Sequence, residues 1–451
     1  MWAKSALLAI ISHVPFYWQQ GAVKIEVAQR PRKSVYPLLS IREAVETIFK
    51  HCHSTKIEAK NLTNCLGFVC AEDVFTDEPV PAFRASIKDG YAVLAEDADG
   101  VRKVVSSQNA GDEASFVLEP MTCVRLSTGA VVPVNCNAVV QVEDTELIQS
   151  EGNEEKSVRI LRAPEVGQDI RQIGSDLDVG ECALKRGTKI TSAEIGILAS
   201  LGKTTVHVFN QPTVTIFSTG NELRSPSTVP LPKGKVRDSN SMLLGSLLKS
   251  YGFLVHDWKI VGDESDEIMS AFCGSMFDTD VVITTGGVSM GEKDLIKQVL
   301  QTDLKFDIHF GRVFMKPGKP TTFATGIFNG KKKLVFALPG NPVSAWVTAH
   351  LFVIPALYRM SGLDFFFNEI NFKGDEYALD ERPEYCRARF VPYDDEEDTD
   401  CPSVELVDNN QISSRLLSTR NAQLLLKLPQ KSRSRTHLHT GDIVRAMVIG
   451  V

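Results

Sequence analysis

The residues best suited to chemistry are three cations gathered in one short run. Arg312, Lys316 and Lys319 stand in Arg312-Val-Phe-Met-Lys316-Pro-Gly-Lys319-Pro320. Pro317, Gly318 and Pro320 limit the freedom of this turn, so the charges can meet an anion without a large loss of entropy. A solvated basic turn is the bland alternative. The run interrupts apolar, strand-like sequence, however, and that favours a site. Opposite charge comes from Glu222, Asp238, Asp263, Glu292 and Asp294, all at or near expected strand ends. Magnesium takes oxygen ligands, keeps waters and bridges to phosphates, so two or three of these acids could hold it beside a pyrophosphate. Any one of them could equally cap a helix, as Asp263 could for the helix expected from Ser265.

Three glycine loops accompany these charges: Ser218-Thr-Gly-Asn-Glu222, Thr285-Gly-Gly-Val-Ser-Met-Gly-Glu-Lys-Asp294 and Leu338-Pro-Gly-Asn-Pro-Val-Ser344. Each follows an expected strand. Ligands of parallel sheets bind beyond the carboxyl ends of the strands, and the next helix offers unpaired N–H groups that suit phosphate. In the third loop Asn341 is a natural N-cap with Pro342 at the first helical position. One such loop is turn chemistry; three on one sheet edge point to a nucleotide or phosphate site.

The elements that must position these loops follow from periodicity. Residues 212–362 alternate strands (213–218, 253–261, 281–285, 334–338) with helices (242–251, 265–276, 292–301, 342–360). That alternation predicts a parallel sheet covered on both faces. Upstream, helices are expected over 40–52, with Ser40 as N-cap, and over 192–201, where Thr191 and Glu194 form a capping box. Short Val/Ile runs between Gly, Pro and Asn over 89–184 read as a small inserted β domain. Alternating runs after Gly362 read as a C-terminal, barrel-like β domain, with a solvated acidic loop tip at 394–400. The expected organisation is therefore a multidomain α/β plus β chain. It comprises a leader over 1–38, an N-terminal domain from 39–88 with 185–211, the insert 89–184, the α/β domain 212–362 and the β domain 363–451.

Bulk composition narrows the function. The 451 residues carry a net charge of -7 and 43% hydrophobic content. That is enough for several cores, and it argues against general nucleic-acid binding, which needs a basic face. Nine cysteines without a CxxC pair suggest reduced thiols in a cytosolic protein. The apolar run 6–14 is too short to span a bilayer, and it lacks a clear cleavage site, so a disordered leader is expected there. A third group of loops holds Asp89, then Thr128 in Arg125-Leu-Ser-Thr-Gly-Ala130, then Gly167-Gln-Asp-Ile-Arg171 and Gly174-Ser-Asp176. Taken alone, these read as hairpin turns.

Taken together, SIKDGYAV, STGAVVP, GQDIR, STGNEL, RDSN, TTGGVSMGEKD, HFGRVFMKPGKPTTFA, ALPGNPVSA and QISSRL occur here in order. This set resembles the molybdopterin molybdotransferase family, that is, the bacterial MoeA type and the E domain of gephyrin, with animal gephyrins nearest in wording. The likeness runs from about Leu39 to the C-terminus. It implies an elongated four-part protomer and a homodimer in which Asp89, Thr128 and Asp176 face the partner's glycine loops. It also implies a magnesium-assisted reaction of adenylylated molybdopterin with molybdate, yielding molybdenum cofactor and AMP, downstream of a molybdopterin adenylyltransferase. A cytoplasmic setting, without nucleic acid or membrane insertion, is expected.

Carried over residue by residue, the resemblance gives Asp89, Asp176, Glu222, Asp263, Asp294, Arg312, Lys316 and Lys319 catalytic duties. Glu222, Asp263 and Asp294 are the candidates for holding metal. The bound substrate would lie against Thr128, Ser218, Thr219, Gly220, Gly286, Gly287, Ser289, Pro317, Gly318, Pro339, Gly340, Asn341 and Ser344. Molybdate would be met by Arg382 or Arg387 and by Ser413 and Ser414. The sequence departs from bacterial members at Arg312, where they carry lysine. It departs from receptor-anchoring gephyrins at Arg42 and Val45, where those place an aspartate and a phenylalanine. The competing reading, a gephyrin-like scaffold binding receptor peptides without turnover, would therefore have a weakened peptide pocket.

Overall fold

The computed structural model describes residues 36–112, 117–288, 295–364, 369–373, 376–391, 403–408, 410–439 and 441–449. The expectations for the leader, the acidic tip, Ser289, Glu292 and Asp294 lie outside the described residues. The chain divides into two compact units, one of residues 1–57 with 209–451 and one of residues 58–208.

The larger unit is built on a six-stranded sheet. Its strands are β1 (Thr213–Thr219), β2 (Leu254–Val261), β3 (Val281–Thr285), β4 (Asp307–Phe310), β5 (Thr322–Phe328) and β6 (Lys331–Leu338), in the order β2-β1-β3-β6-β5-β4. The four strands β2, β1, β3 and β6 are parallel, as the alternation predicts. The other two are not: β5 pairs antiparallel with β6, and β4 with β5. The sheet is therefore mixed. The cause is local. Asn329 and Gly330 both have positive φ (50° and 71°), the backbone that closes a two-residue hairpin between right-twisted strands. An Asn-Gly pair between apolar runs is a strong hairpin signal, and here it overrides the helix–strand alternation.

Helices α1 (Ile41–His51), α2 (Asn240–Ser250), α3 (Ser265–Asp278) and α4 (Pro342–Met360) pack on this sheet, together with a short helical segment over 295–303 that buries Ile296, Val299 and Leu300. Alternate residues of each strand face opposite cores. Ile216, Ile283 and Phe336 meet Val347 and Phe352 of α4, while Phe217, Val282 and Val335 meet Phe272 and Met276 of α3. Full burial of each such side chain contributes on the order of 1.5–3 kcal/mol. Helix α4 is long and apolar enough to cross a membrane, but it is 94% buried in this core. Helix α1 starts at a capping box in which Ser40 and Glu43 satisfy each other's backbone N–H.

Residues after Gly362 in this unit form a second sheet of β7 (Glu369–Lys373), β8 (Glu384–Phe390), β9 (Val404–Leu406), β10 (Leu424–Leu428) and β11 (Ile443–Val448). The order is β7-β11-β10-β8-β9, all antiparallel, over its own apolar cluster. Among the described residues this ladder does not close into a barrel.

The smaller unit holds a six-stranded sheet in the order 138–141, 90–93, 122–126, 100–108, 154–160, 145–151. It also holds the helix Ser192–Ser200, opened by the Thr191–Glu194 capping box.

One aromatic contact couples the larger unit to pH. His51 of α1 and His309 of β4 stack with centroids 3.7 Å apart, and His309 also meets the Thr325 hydroxyl at 2.8 Å. Burial, reinforced by His51 and Lys332, pulls His309 from 6.5 down to about 4. The folded state thus binds fewer protons than the unfolded chain between these values. Stability that is complete above pH 6.5 is lost as pH falls toward 4. We expect the thermal midpoint to drop over that window, and less steeply in His309→Gln. Equal slopes for both proteins in pH-dependent melts would exclude this contribution.

Candidate active site

A cleft of about 1060 Å³ opens in the larger unit at the carboxyl ends of the parallel strands. Its floor begins with a buried carboxylate. Asp238 is 3% exposed and accepts from the Ser218 hydroxyl (2.9 Å), from the N–H groups of Asn240 (3.0 Å) and Ser241 (3.2 Å), and from the Ser241 hydroxyl. These bonds satisfy orphan donors at the start of α2. Ser218 also meets the Thr285 hydroxyl at 2.9 Å, and the Asn240 amide donates to the Gly340 carbonyl at 2.8 Å. The ends of β1, β3 and β6 are thereby tied into one polar network. Ser218 and Thr219 stand behind the lining as its support. Asn240 lines the cleft, and its side-chain oxygen is buried without a hydrogen-bond partner among the described residues.

Two glycines are required by the close approach of these loops. Gly286 has φ +86°, and a Cβ there would lie 2.5 Å from the Thr219 carbonyl oxygen. Gly318 has φ +105°, and its Cβ would lie 2.4 Å from the Thr348 side chain. Side chains at either position would push the loops apart.

Of the expected substrate contacts, Gly286, Gly287, Pro317, Gly318, Pro339, Gly340, Asn341 and Ser344 line the cleft, whereas Gly220 does not. Asn341 precedes α4, but its amide donates to the Ser413 hydroxyl at 2.9 Å instead of capping the helix. That bond and the Val343 N–H to the Ser413 carbonyl (3.1 Å) bring the C-terminal segment to the cleft, where Ser413 and Ser414 line it.

The cations divide. Lys316, Lys319 and Arg382 line the cleft, as does Arg237 of the RDSN motif, a residue not among the expected site cations. Arg312 does not. Its guanidinium donates to the Tyr36 carbonyl at 2.7 and 3.2 Å, so it is spent on the segment before α1. Arg387 also departs from its expected place. It is fully buried among Ser418 and the Tyr385 carbonyl, and it supports the C-terminal sheet. No sequence spacing distinguishes a buried structural arginine from a ligand-facing one.

Lys316 is more constrained than a free anion-binding lysine. Its backbone joins the strand entry at β8 through its N–H to Pro383 (3.0 Å) and its carbonyl from Tyr385 (2.8 Å). Its ammonium lies 3.1 Å from both Asp380 and Glu384. Burial pulls its pKa down, but Glu384 and then Asp380 outweigh that and hold it raised. Burial likewise pushes Asp380 up, yet its bonds with Arg382 and Lys316 hold it at about 2.

The acids separate as well. Glu222 lines the cleft. Asp263 does not: it accepts from the Asn221 N–H at 3.0 Å, and its own N–H donates to the Asn221 amide oxygen at 3.2 Å, which fixes the first glycine loop. Among the described residues no three His, Cys, Asp or Glu side chains gather as a metal cage. Among the described residues Glu222 is the one expected metal-holding acid that lines the cleft, which fits a magnesium ion held chiefly by substrate phosphates and water rather than by protein alone.

In the smaller unit, Asp89 accepts from the Thr128 N–H (2.7 Å) and hydroxyl (3.2 Å), and Asp176 pairs with Arg171. Strand 85–86 pairs with 170–171, so the three loops that read as separate turns form one exposed cluster.

This geometry defines an α/β protein in which glycine loops and basic side chains converge on one cleft at the strand ends. Residues 39–202 match the MoeA N-terminal region (domain I and II), and 215–359 match the probable molybdopterin binding domain. The chain is 37% identical over 468 residues to gephyrin of Dictyostelium discoideum, covering 93% of this chain and 63% of that protein. It is 38% identical over 424 residues to the molybdenum cofactor synthesis protein cinnamon of Drosophila melanogaster, covering 93% and 67%. It is 35% identical over 323 residues to the molybdopterin molybdenumtransferase of Bacillus subtilis, covering 69% and 73%. The solved structure of the molybdopterin biosynthesis moeA protein from Pyrococcus horikoshii OT3 superposes with a TM-score of 0.73 at 25% identity, over 91% of this chain and all of that one. The chain belongs to the MoeA and gephyrin E-domain family of molybdopterin molybdotransferases.

If Asp238 organises the cleft, Asp238→Ala should lower unfolding free energy by about 3 kcal/mol, because it strands several buried donors. Urea denaturation reads this; a loss under 1 kcal/mol would contradict the assignment.

Proposed function

We propose that the chain completes molybdenum cofactor synthesis as a molybdopterin molybdotransferase. Its substrates are adenylylated molybdopterin and molybdate, and AMP is released. The observation that carries the reading is the cleft wall: Arg237, Lys316, Lys319 and Arg382 face glycine loops and the N-terminus of α4. Both substrates are anionic. Phosphoanhydride cleavage builds further negative charge on oxygen, and fixed cations and backbone N–H groups stabilise such charge. The loops through Gly286, Gly287 and Gly340 would hold the nucleotide phosphates. Arg382, Ser413 and Ser414 would orient molybdate, and Lys316 and Lys319 would meet the developing charge. Magnesium, when bound beside Glu222, would neutralise phosphate charge; Asp294 is a second candidate ligand.

The same reading makes the working form a cytosolic homodimer. The exposed cluster of Asp89, Thr128 and Asp176 completes the cleft of a second copy, and a molybdopterin adenylyltransferase supplies the substrate. Nothing on α1 favours a receptor scaffold instead, since Arg42 is exposed and pairs with Glu46 at 2.7 Å.

Incubation with adenylylated molybdopterin, Mg²⁺ and molybdate should release AMP in a molybdate-dependent way; ATP consumption without it would point to the adenylylating step. Lys316→Ala should reduce turnover about 100-fold if it stabilises transition-state charge, and unchanged turnover would remove it from the mechanism. Asp89→Asn should be inactive alone, yet a mixed dimer with Lys316→Ala should recover one working site. Absence of recovery in purified mixed dimers would refute the shared site.

A further inference from the structure

The oxyanion cations do not face the cleft unopposed. The Lys316 ammonium has three N–H donors, and three carboxylate oxygens lie around it: Asp380 at 3.1 Å and the two oxygens of Glu384 at 3.1 and 3.2 Å. Arg382 is engaged as well, with Nε 3.0 Å and Nη2 3.4 Å from the same Asp380. Two cations and two carboxylates sum to zero charge. A dianion approaching these two cations therefore meets little net attraction from them, and each proton of the Lys316 ammonium already has a carboxylate oxygen within reach. One carboxylate has to yield.

The two acids are not equivalent. Glu384 is 1% exposed at the start of β8, where the Tyr377 hydroxyl also bonds it at 3.3 Å. It has no solvated position to move to, and a buried carboxylate separated from its cation is costly. The Asp380 side chain is 21% exposed and sits in the turn before Arg382. It can rotate into water at less cost than Glu384.

We propose that Asp380 is a displaceable counter-ion of the anion site, which occupies Lys316 and Arg382 until an oxyanion takes them over, while Glu384 stays as the anchor of Lys316. This rests on the molybdotransferase reading for the identity of the anion. Asp380 is then a positioning and specificity residue. It keeps the cations pre-set and raises the threshold for binding, so an anion must make enough bonds to both Lys316 and Arg382 to replace a carboxylate. Molybdate, a tetrahedral dianion, offers several oxygens for that exchange.

The test is calorimetric titration with sodium molybdate, with thermal melts to verify folding. Asp380→Asn leaves the group of Lys316, Arg382 and Glu384 one positive charge in excess, and its Kd for molybdate should fall at least fivefold. Asp380→Glu, which keeps the charge, should stay near wild type. The gain should largely vanish in Lys316→Ala/Asp380→Asn. Unchanged or weaker binding by folded Asp380→Asn would overturn the proposal, since loss of a merely structural contact would weaken binding. A crystal of the wild-type protein soaked in molybdate checks the same point independently of any variant. Asp380 should be beyond hydrogen-bond reach of Lys316 when the anion is bound, and retention of the contact would overturn the idea. Failure of wild type to bind molybdate at all would also sink the molybdotransferase reading, whereas wild-type binding without the Asp380 effect would sink this inference alone.

Discussion

A buried carboxylate organises this cleft. Asp238 gathers donors from Ser218, Asn240 and Ser241, and through them it reaches Thr285 and Gly340. A charge so little exposed is tolerated only when its oxygens are bonded nearly to capacity. That requirement fixes how three strand ends approach one another. It also leaves no room for side chains where the loops touch, which is why Gly286 stands against Thr219. The cleft is the space that remains once those contacts are made.

Much of this was legible in the residues. Capping signals marked helix starts, and glycines after β-branched runs marked the strand ends that line the cleft. Lys316, Lys319, Arg382 and Ser413 converge there although nearly 100 residues separate the first from the last. What the sequence concealed has one common cause: the partner of a charged group is set by tertiary packing. Arg312 resembles Lys316 in sequence, yet it bonds the Tyr36 carbonyl. Arg387 resembles Arg382, yet it is buried against Ser418. Asp263 reads as a metal ligand or a helix cap, and instead it braces Asn221.

The edge of the main sheet teaches a different lesson. Helix–strand alternation governs β2, β1, β3 and β6, and a short-range turn signal governs the β5–β6 hairpin. When the two signals compete over adjacent residues, the local one prevails, because Asn329 and Gly330 close the connection before any crossover helix could form. The basic turn between β4 and β5 owes its position to that hairpin.

The backbone pairing of Lys316 with the entry to β8 has an architectural consequence. The electrostatic character of the cleft is set in part by a segment that the parallel sheet does not need in order to pack. Asp380, the partly exposed acid of that segment, can be recharged while the central scaffold and the buried Glu384 are left intact. Affinity for an oxyanion thus has a control on the C-terminal sheet, separate from the strands and glycine loops that give the cleft its shape.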